Sequence, residues 1–403
     1  MKVPRPLAIW SVVALSSVVV LAFALWRQNK DVGRRSSLRV ATSTAAGSEV
    51  FQAKGCATCH GPNAAGTPAG PALRQSRSLA SLPQLVTAMW NHAPRMWEEM
   101  RVKNLEYPTL TYEETSHLIA YLYISGYADN NGDEARGQAL FETNQCGRCH
   151  NSEPARQGGP TLRSIADAGD ALTWTQALWN HSSAMRSRMR AQGIPWPRFQ
   201  PSDMRDLFAY VRKAGNVKED ASELHGDPDR GWQLFQQKGC ITCHSISSET
   251  SRIGPNLGPE RVLPPTFSEF GAAMLNHFPQ MENAVHKEKA DLPIFENHEM
   301  SDVAVFLYTL HYLEPTGSPQ IGKSIFAWRG CSRCHGDNGE GTRLGPALRG
   351  RGRAYTAARV ATDLWAHGER MYESNRKDGQ DWPTLQNSDI GHLLTFLNLS
   401  PEQ

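Results

Sequence analysis

The sequence predicts an all-α protein in which one N-terminal transmembrane helix is followed by four tandem domains of the same kind. Three observations support this fold class. A motif with two Cys and a His occurs four times, with its first Cys at positions 56, 146, 240 and 331, and repeats of this length are domains rather than solenoid units. Amphipathic stretches with a helical period flank each copy of the motif. No stretch alternates strongly enough between apolar and polar residues to predict a strand.

The transmembrane helix is predicted from an uncharged stretch of 20 residues, 7–26. A helix of that length rises about 30 Å, which matches the hydrocarbon core of a bilayer. We predict an uncleaved anchor. A cleaved signal peptide is the alternative, because Lys2 and Arg5 precede the stretch and residues 22–24 resemble a cleavage site. Either segment exports the rest of the chain, although the basic residues that follow it would favour the opposite orientation.

The chain after the anchor divides into four repeats of similar length. Residues 1–46 hold the anchor and a linker, and the domains are predicted at 47–128, 129–217, 218–315 and 316–403. Every repeat carries a Gly, a Phe four residues later, the Cys motif, a Gly-Pro pair, a Met and finally an aromatic residue 25 positions after that Met. The Phe and aromatic positions are Phe51 and Tyr121, Phe141 and Tyr210, Phe235 and Phe306, and Phe326 and Phe396. The constant spacing indicates that the geometry of this segment is constrained.

The chemistry of the repeats resides in the motif CxxCH, which contains all eight Cys of the chain. Two thiols at this spacing can form thioethers with one haem, and the adjacent His can bind its iron. A redox dithiol or half of a zinc site would be the alternative for a lone motif. Four copies with the same flanks favour four haem c groups. The attachment residues are Cys56, Cys59, Cys146, Cys149, Cys240, Cys243, Cys331 and Cys334, and the proximal iron ligands are His60, His150, His244 and His335.

From these motifs, the units resemble class I cytochrome c domains over nearly all of residues 47–399. The resemblance implies that the first and last helices of each domain cross, with Phe51 near Tyr121 and likewise in each repeat. It also implies that a Pro carbonyl receives the N–H of the proximal His, at Pro71 and its equivalents Pro160, Pro255 and Pro346. Haem attachment in this family takes place on the outer face of the cytoplasmic membrane, so the haem domains are expected in the periplasm.

Two residues of each repeat are candidates for the sixth iron ligand, because each repeat offers a His and a Met four residues apart. Residues at this spacing share one face of a helix, so the spacing cannot choose between them. The His residues are His92, His181, His277 and His367, and the Met residues are Met96, Met185, Met281 and Met371. The family resemblance favours the four Met, and a thioether ligand raises the reduction potential. The His would then be structural.

Two further interpretations concern aromatic and His residues near these positions. Trp90, Trp179 and Trp365 precede the His by two residues, and we expect them to pack on the haem. The other six His residues are interpreted as surface or packing residues; they are His117, His225, His286, His298, His311 and His392.

These features together predict an electron-transfer protein that is not an enzyme. It would relay electrons at the membrane surface between an electron donor and an electron acceptor protein, with no nucleic acid and no small-molecule substrate. A cytochrome c subunit of a larger membrane oxidoreductase complex is the alternative. A haem peroxidase or reductase is a weaker one, because such an enzyme needs an open iron position and every repeat offers a Met.

The charge is unevenly distributed among the repeats, although the net charge of the chain is only +2. The third repeat has 7 basic and 15 acidic residues, hence a net charge of −8. The fourth has five Arg soon after its CxxCH motif, at positions 343, 349, 351, 353 and 359. Transient redox partners are steered by complementary charge. We therefore expect an acidic partner to dock at this Arg cluster.

Overall fold

The structure is a computed structural model of the chain. The residues it describes are 43–74, 81–129, 131–151, 159–166, 169–217, 226–246, 253–259, 261–310, 317–350, 355–386 and 388–399. The predicted transmembrane stretch lies outside them. Within these ranges no helix is long and apolar enough to cross a membrane.

Each repeat is built from three main helices that follow in the same order. The first helices are Thr44–Ala53, Glu134–Thr143, Pro228–Gln237 and Pro319–Trp328, and each leads into the CxxCH motif. The central helices are Leu82–Val102, Ala171–Ala191, Phe267–Lys287 and Ala357–Lys377. The last helices are Tyr112–Ser125, Asp203–Ala214, Glu299–Thr309 and Asp389–Leu397. The described residues contain no extended strand, which agrees with the all-α prediction.

Local sequence sets where the helices begin. Every first helix and every central helix starts after a Ser, Thr or Asp whose side chain accepts a backbone N–H of the first turn. These residues are Ser43, Asp133, Asp227 and Ser318 before the first helices, and Ser81, Asp170, Thr266 and Thr356 before the central helices. The starts of the first and central helices could therefore be identified from sequence.

The first and last helices of each repeat cross in close contact, as the resemblance implied. The ring centroids of Phe51 and Tyr121 are 5.5 Å apart, and the equivalent pairs lie at 5.3, 5.7 and 5.5 Å. A Gly at the crossing makes this approach possible, because a Cβ on Gly47 would lie 2.1 Å from the carbonyl oxygen of His117. The same is true of Gly137, Gly231 and Gly322 in the other repeats.

One residue of each last helix also holds the start of the first helix. His117 accepts the backbone N–H of Ser43 through Nδ1 at 2.9 Å, and His392 accepts that of Ser318 at 2.8 Å. Asp206 and Asp302 do the same in the second and third repeats. The interpretation of His117 and His392 as general surface or packing residues is thus too weak. They occupy equivalent positions, where a hydrogen-bond acceptor is needed.

The four repeats pack in two pairs through their central helices, the first with the fourth and the second with the third. Within each pair, the central helix of one repeat also contacts the last helix of the other. A further contact joins the first and third repeats, where the Tyr123 hydroxyl donates to the carbonyl of Tyr308 at 3.1 Å and Phe267 N–H donates to the carbonyl of Tyr127 at 3.1 Å. Repeats that are neighbours in the chain are therefore not always paired in space.

In three repeats, an Asn in the central helix forms two hydrogen bonds with the backbone of the paired repeat. The Asn91 amide donates to the carbonyl of Leu385 and accepts its N–H, both at 2.8 Å. Asn180 makes the same two bonds with Phe295, and Asn276 makes them with Phe199. The fourth repeat has Ala366 at this position, so the first pair has this contact in one direction and the second pair has it in both.

A Pro inside the central helix creates a second inter-repeat contact. Pro94 lacks an N–H, and this leaves the carbonyl of Trp90 without its partner within the helix. Trp382 of the fourth repeat donates its indole N–H to that carbonyl at 3.0 Å. In the other pair, Pro279 frees the carbonyl of Leu275, which accepts the indole N–H of Trp196 at 3.0 Å. The partner repeat thus supplies the donor that the Pro removes.

Candidate haem sites

The CxxCH motif folds into a tight turn in every repeat. The backbone N–H of His60 donates to the carbonyl of Cys56 at 2.9 Å, and the equivalent bonds in the other repeats measure 2.9, 2.9 and 3.0 Å. In helical geometry, residues three and four apart lie on the same side of the backbone. The turn therefore presents two thiols and an imidazole together, as covalent attachment of one haem requires.

The proximal His of each repeat is oriented by the carbonyl of the Pro that follows the motif. Nδ1 of His60 donates to Pro71 at 3.0 Å, and the same bond forms at Pro160, Pro255 and Pro346 at 3.0, 3.0 and 2.8 Å. The Gly before each Pro allows this approach, because a Cβ on Gly70 would lie 2.7 Å from the carbonyl oxygen of Cys59. This confirms the predicted contact. It leaves Nε2 free to bind iron, which is the usual role of a second contact to a ligating His.

The CxxCH residues of the first repeat border a cavity of about 400 Å³. Its walls include Cys56, Cys59, His60, His92 and Met96. A cavity of about 580 Å³ in the fourth repeat has the equivalent walls, namely Cys331, Cys334, His335, His367 and Met371. Both volumes fall in the usual range of cofactor sites, about 300–1,000 Å³.

The residues present fit haem c and not zinc. Each repeat brings two thiols and an oriented imidazole to one turn, and in the two repeats just described that turn faces a mostly apolar cavity. Among the described residues, no three His, Cys, Asp or Glu side chains are grouped as ligands of a metal ion would be. The third repeat has the same turn and the same contact from His244 to the Pro255 carbonyl.

Each of these two cavities is partly closed by a Trp of the other repeat. Trp365, from the fourth repeat, lines the cavity of the first, and Trp90, from the first repeat, lines the cavity of the fourth. The indole N–H of Trp90 donates to the carbonyl of Pro383 at 2.7 Å, and that of Trp179 donates to Pro293 at 2.7 Å. These Trp residues are thus contacts between repeats, and the expectation that they pack on the haem stays a prediction. Sequence reasoning missed this role because nothing local reveals the partner.

Burial affects the titration of several of these groups. It raises the pKa of Cys56, Cys146, Cys240 and Cys331 to about 11, so the free thiols stay protonated at neutral pH. Burial, together with the nearby proximal His, lowers the pKa of His92, His181 and His277. These three imidazoles are therefore neutral at physiological pH, with a nitrogen lone pair available.

The His and the Met proposed from sequence lie in the same cavity. The central helix carries His92 and Met96 one turn apart, and both line the cavity of the first repeat. His367 and Met371 share the cavity of the fourth. The assignment of Met96, Met185, Met281 and Met371 as iron ligands stays a prediction. The ring centroids of His60 and His92 are 6.4 Å apart, those of His150 and His181 6.2 Å, and those of His244 and His277 6.4 Å.

The Arg cluster of the fourth repeat is only partly available to a partner. Arg349 packs over the ring of Phe396 at 5.1 Å, and Arg359 packs over the ring of Tyr112 of the first repeat at 4.5 Å. Residues 351 and 353 lie outside the described part of the chain. Arg343 is exposed, and it precedes Leu344, which is 78% exposed and lines the cavity of the fourth repeat.

Comparison with known proteins adds an independent finding. The family model described as Cytochrome c matches residues 44–123, 134–215 and 319–399, which is 80, 82 and 81 residues and more than half of the chain. Neither the curated proteins nor the solved structures include a match. Three matches along one chain show several domains of one type, and they cover the first, second and fourth repeats. The chain therefore belongs to the cytochrome c family, with several cytochrome c domains in tandem.

Proposed function

We propose that this protein is a periplasmic electron-transfer protein that carries four covalently bound c-type haems and is anchored in the cytoplasmic membrane by its N-terminal helix. Cytochrome c domains bind haem c and act in electron transfer, and the bound haem supplies the one-electron carrier. The proposal of four haems, rather than three, depends on the third repeat. It lies outside the family matches, yet it has the same CxxCH turn, the same His–Pro contact and the same helix crossing.

The chain's own residues hold each haem in a defined setting. The Cys pair would attach it, the proximal His would bind its iron, and the Pro carbonyl fixes the orientation of that His. In the first and fourth repeats, a Trp from the paired repeat closes part of the cavity and reduces access of water. Exclusion of solvent is one of the means by which a protein sets the potential of a haem.

The contacts between repeats support an order of electron transfer that differs from the order in the chain. Direct contacts join the fourth repeat to the first, the first to the third, and the third to the second. We therefore propose the order 4–1–3–2. The second and fourth repeats would meet the redox partners, an electron donor and an electron acceptor protein, one of which can be a membrane oxidoreductase complex. The proposal includes no catalysis, no nucleic acid and no small-molecule substrate.

The proposal is tested on the full-length protein purified from membranes. Pyridine haemochrome analysis should give four haems per chain, all resistant to acid–acetone extraction because they are covalently held. Recovery of the haem domains should require detergent, and protease added to spheroplasts should digest them. Fewer than four haems in protein made with a working maturation system contradicts the stoichiometry. Protein that is released with the soluble periplasmic fraction contradicts the anchor.

A further inference from the structure

We propose that His92, His181 and His277, rather than the Met residues that follow them, are the sixth iron ligands in the first three repeats. This inference rests on the proposed function, because it presupposes a haem in each repeat. It starts from one distance that recurs. The proximal ring and the second His ring have centroids 6.4, 6.2 and 6.4 Å apart, with interplanar angles of 63°, 68° and 64°.

That distance matches two imidazoles bound to opposite sides of one metal ion. The bond from a His nitrogen to a metal is about 2.0–2.1 Å, and a ring nitrogen lies about 1.1 Å from the ring centre. Two rings facing each other across the metal then have centres about 6.2–6.4 Å apart. The three observed distances fall in this interval. The Nδ1 atoms of His60, His150 and His244 are occupied by Pro carbonyls, so the Nε2 atoms are the ones available for iron.

A second His that did not bind iron would have to stay farther from the proximal His. The planar macrocycle would separate the two rings, and atoms not bonded to it remain about 3.5 Å from its plane. With the proximal ring centre about 3.1 Å on the other side, a ring stacked flat on the macrocycle would be about 6.6 Å away. Such a ring would also be perpendicular to the proximal ring. The observed rings are inclined by 63–68° rather than perpendicular, and their centroid distances match those of two imidazoles bound to one metal ion.

Two of the Met residues, Met96 and Met281, pack in contacts between repeats. Met96 packs against the cluster of Ala93, Trp97 and Leu364, which belongs to the contact between the first and fourth repeats. Met281 packs against the core that joins the second and third repeats. Met side chains fill irregular apolar gaps well. Packing where the repeats pair therefore accounts for Met96 and Met281. A haem with two His ligands would lack the rise in potential that a thioether provides.

The test uses the full-length holoprotein and the near-infrared charge-transfer band of ferric haem with a Met ligand. Met96→Leu, Met185→Leu and Met281→Leu preserve volume and should each leave the band unchanged. Met371→Leu is the matched control, because the fourth repeat is outside this inference. The intensity of the wild-type band should correspond to at most one of the four haems. Loss of intensity in any of the first three variants overturns the inference for that repeat.

A gain-of-ligand variant gives a second, independent measurement. His92→Met should add one band of this kind and raise the reduction potential of one haem. The expected rise is at least about 59 mV, which corresponds to a tenfold change in the ratio of oxidised to reduced haem for one electron. If this variant loses haem, the Leu series still decides. The haem count separates the two proposals. Four covalent haems with a Met band from the first three repeats would refute only the inference that His is the sixth ligand. Fewer than four haems would refute the proposed function.

Discussion

The pairing of the first and fourth repeats predicts a measurable coupling between Trp382 and Pro94. Pro94 leaves the carbonyl of Trp90 without an N–H from its own helix, and the indole of Trp382 supplies the missing donor at 3.0 Å. Trp382→Phe removes that donor and keeps an aromatic ring against Trp90, whose centroid is 4.8 Å from that of Trp382. A carbonyl left unpaired in a partly buried site costs about 1–3 kcal/mol.

Amide hydrogen exchange measures this cost locally, which suits a chain of several domains better than one global unfolding curve. Peptides that cover Leu82–Val102 should exchange about 5–150-fold faster in Trp382→Phe, as a loss of 1–3 kcal/mol implies. The substitution lies in the fourth repeat, yet the effect should appear in the first. Peptides from Ala171–Ala191 in the second repeat serve as the internal control. Trp328→Phe is the control variant, because Trp328 is 85% exposed.

A second substitution identifies the cause. In a Pro94→Ala background, the N–H of Ala at position 94 can donate to the Trp90 carbonyl, so Trp382→Phe should cost at least about 1 kcal/mol less than in the wild-type chain. The loss of ring area is the same in both backgrounds and cancels in the cycle. An equal cost in both backgrounds refutes the hydrogen-bond explanation. Acceleration confined to the fourth repeat refutes the pairing.

Three further predictions concern helix starts and the surface. Burial alone would raise the pKa of Asp206, but hydrogen bonds from the Asp133 N–H and the Arg136 guanidinium outweigh it and lower the pKa below 3.8. The stabilisation of the second repeat by Asp206 is therefore present above pH 3.8 and is lost as the pH falls through the pKa of the folded state. Asp206→Asn should remove this acid dependence of hydrogen exchange in the second repeat. His117→Asp should retain the stability of the first repeat, as amide hydrogen exchange can show, because Asp is the acceptor at the equivalent position. His117→Leu should cost about 1–3 kcal/mol in the same measurement, and equal stability of the two variants would contradict this role. Arg343→Glu should slow reduction by an acidic partner in stopped-flow measurements at 0.01 M salt, where the Debye length is about 30 Å. The effect should be much smaller at 0.1 M salt, where the Debye length is about 10 Å. A rate that changes neither with salt nor with the substitution excludes docking at Arg343.

Much of each repeat could be predicted from its own residues. The CxxCH turn, the Gly at the helix crossing and the Ser, Thr or Asp before each first and central helix all act over short separations or within one domain. The contacts of Phe51 with Tyr121 and of His60 with the Pro71 carbonyl followed from the family resemblance, and the structure confirms both. The roles of His117 and His392 were missed. Equivalent positions in the other repeats hold Asp, so the shared property is a hydrogen-bond acceptor and not a residue type.

The sixth iron ligand could not be assigned from the local sequence pattern. His92 and Met96 lie one helical turn apart and face the same cavity, so sequence spacing treats them alike. The distance from the proximal ring to the second His ring depends on how the central helix is placed against the CxxCH turn. That placement is set by packing in the domain, and our proposal of His92, His181 and His277 as ligands rests on it.

What the sequence determined by itself is the repeated unit and the predicted haem-attachment residues, because these depend on short-range geometry and on the chemistry of Cys and His. It also contains a complementarity between repeats. Pro94 and Pro279 each free a carbonyl in the first and third repeats, and Trp196 and Trp382 supply the donor from the second and fourth. This pattern allows the first repeat to pair with either the second or the fourth. Only the tertiary structure decided between them, because a hydrogen bond between residues 292 positions apart depends on how whole domains pack and not on any local preference of the chain.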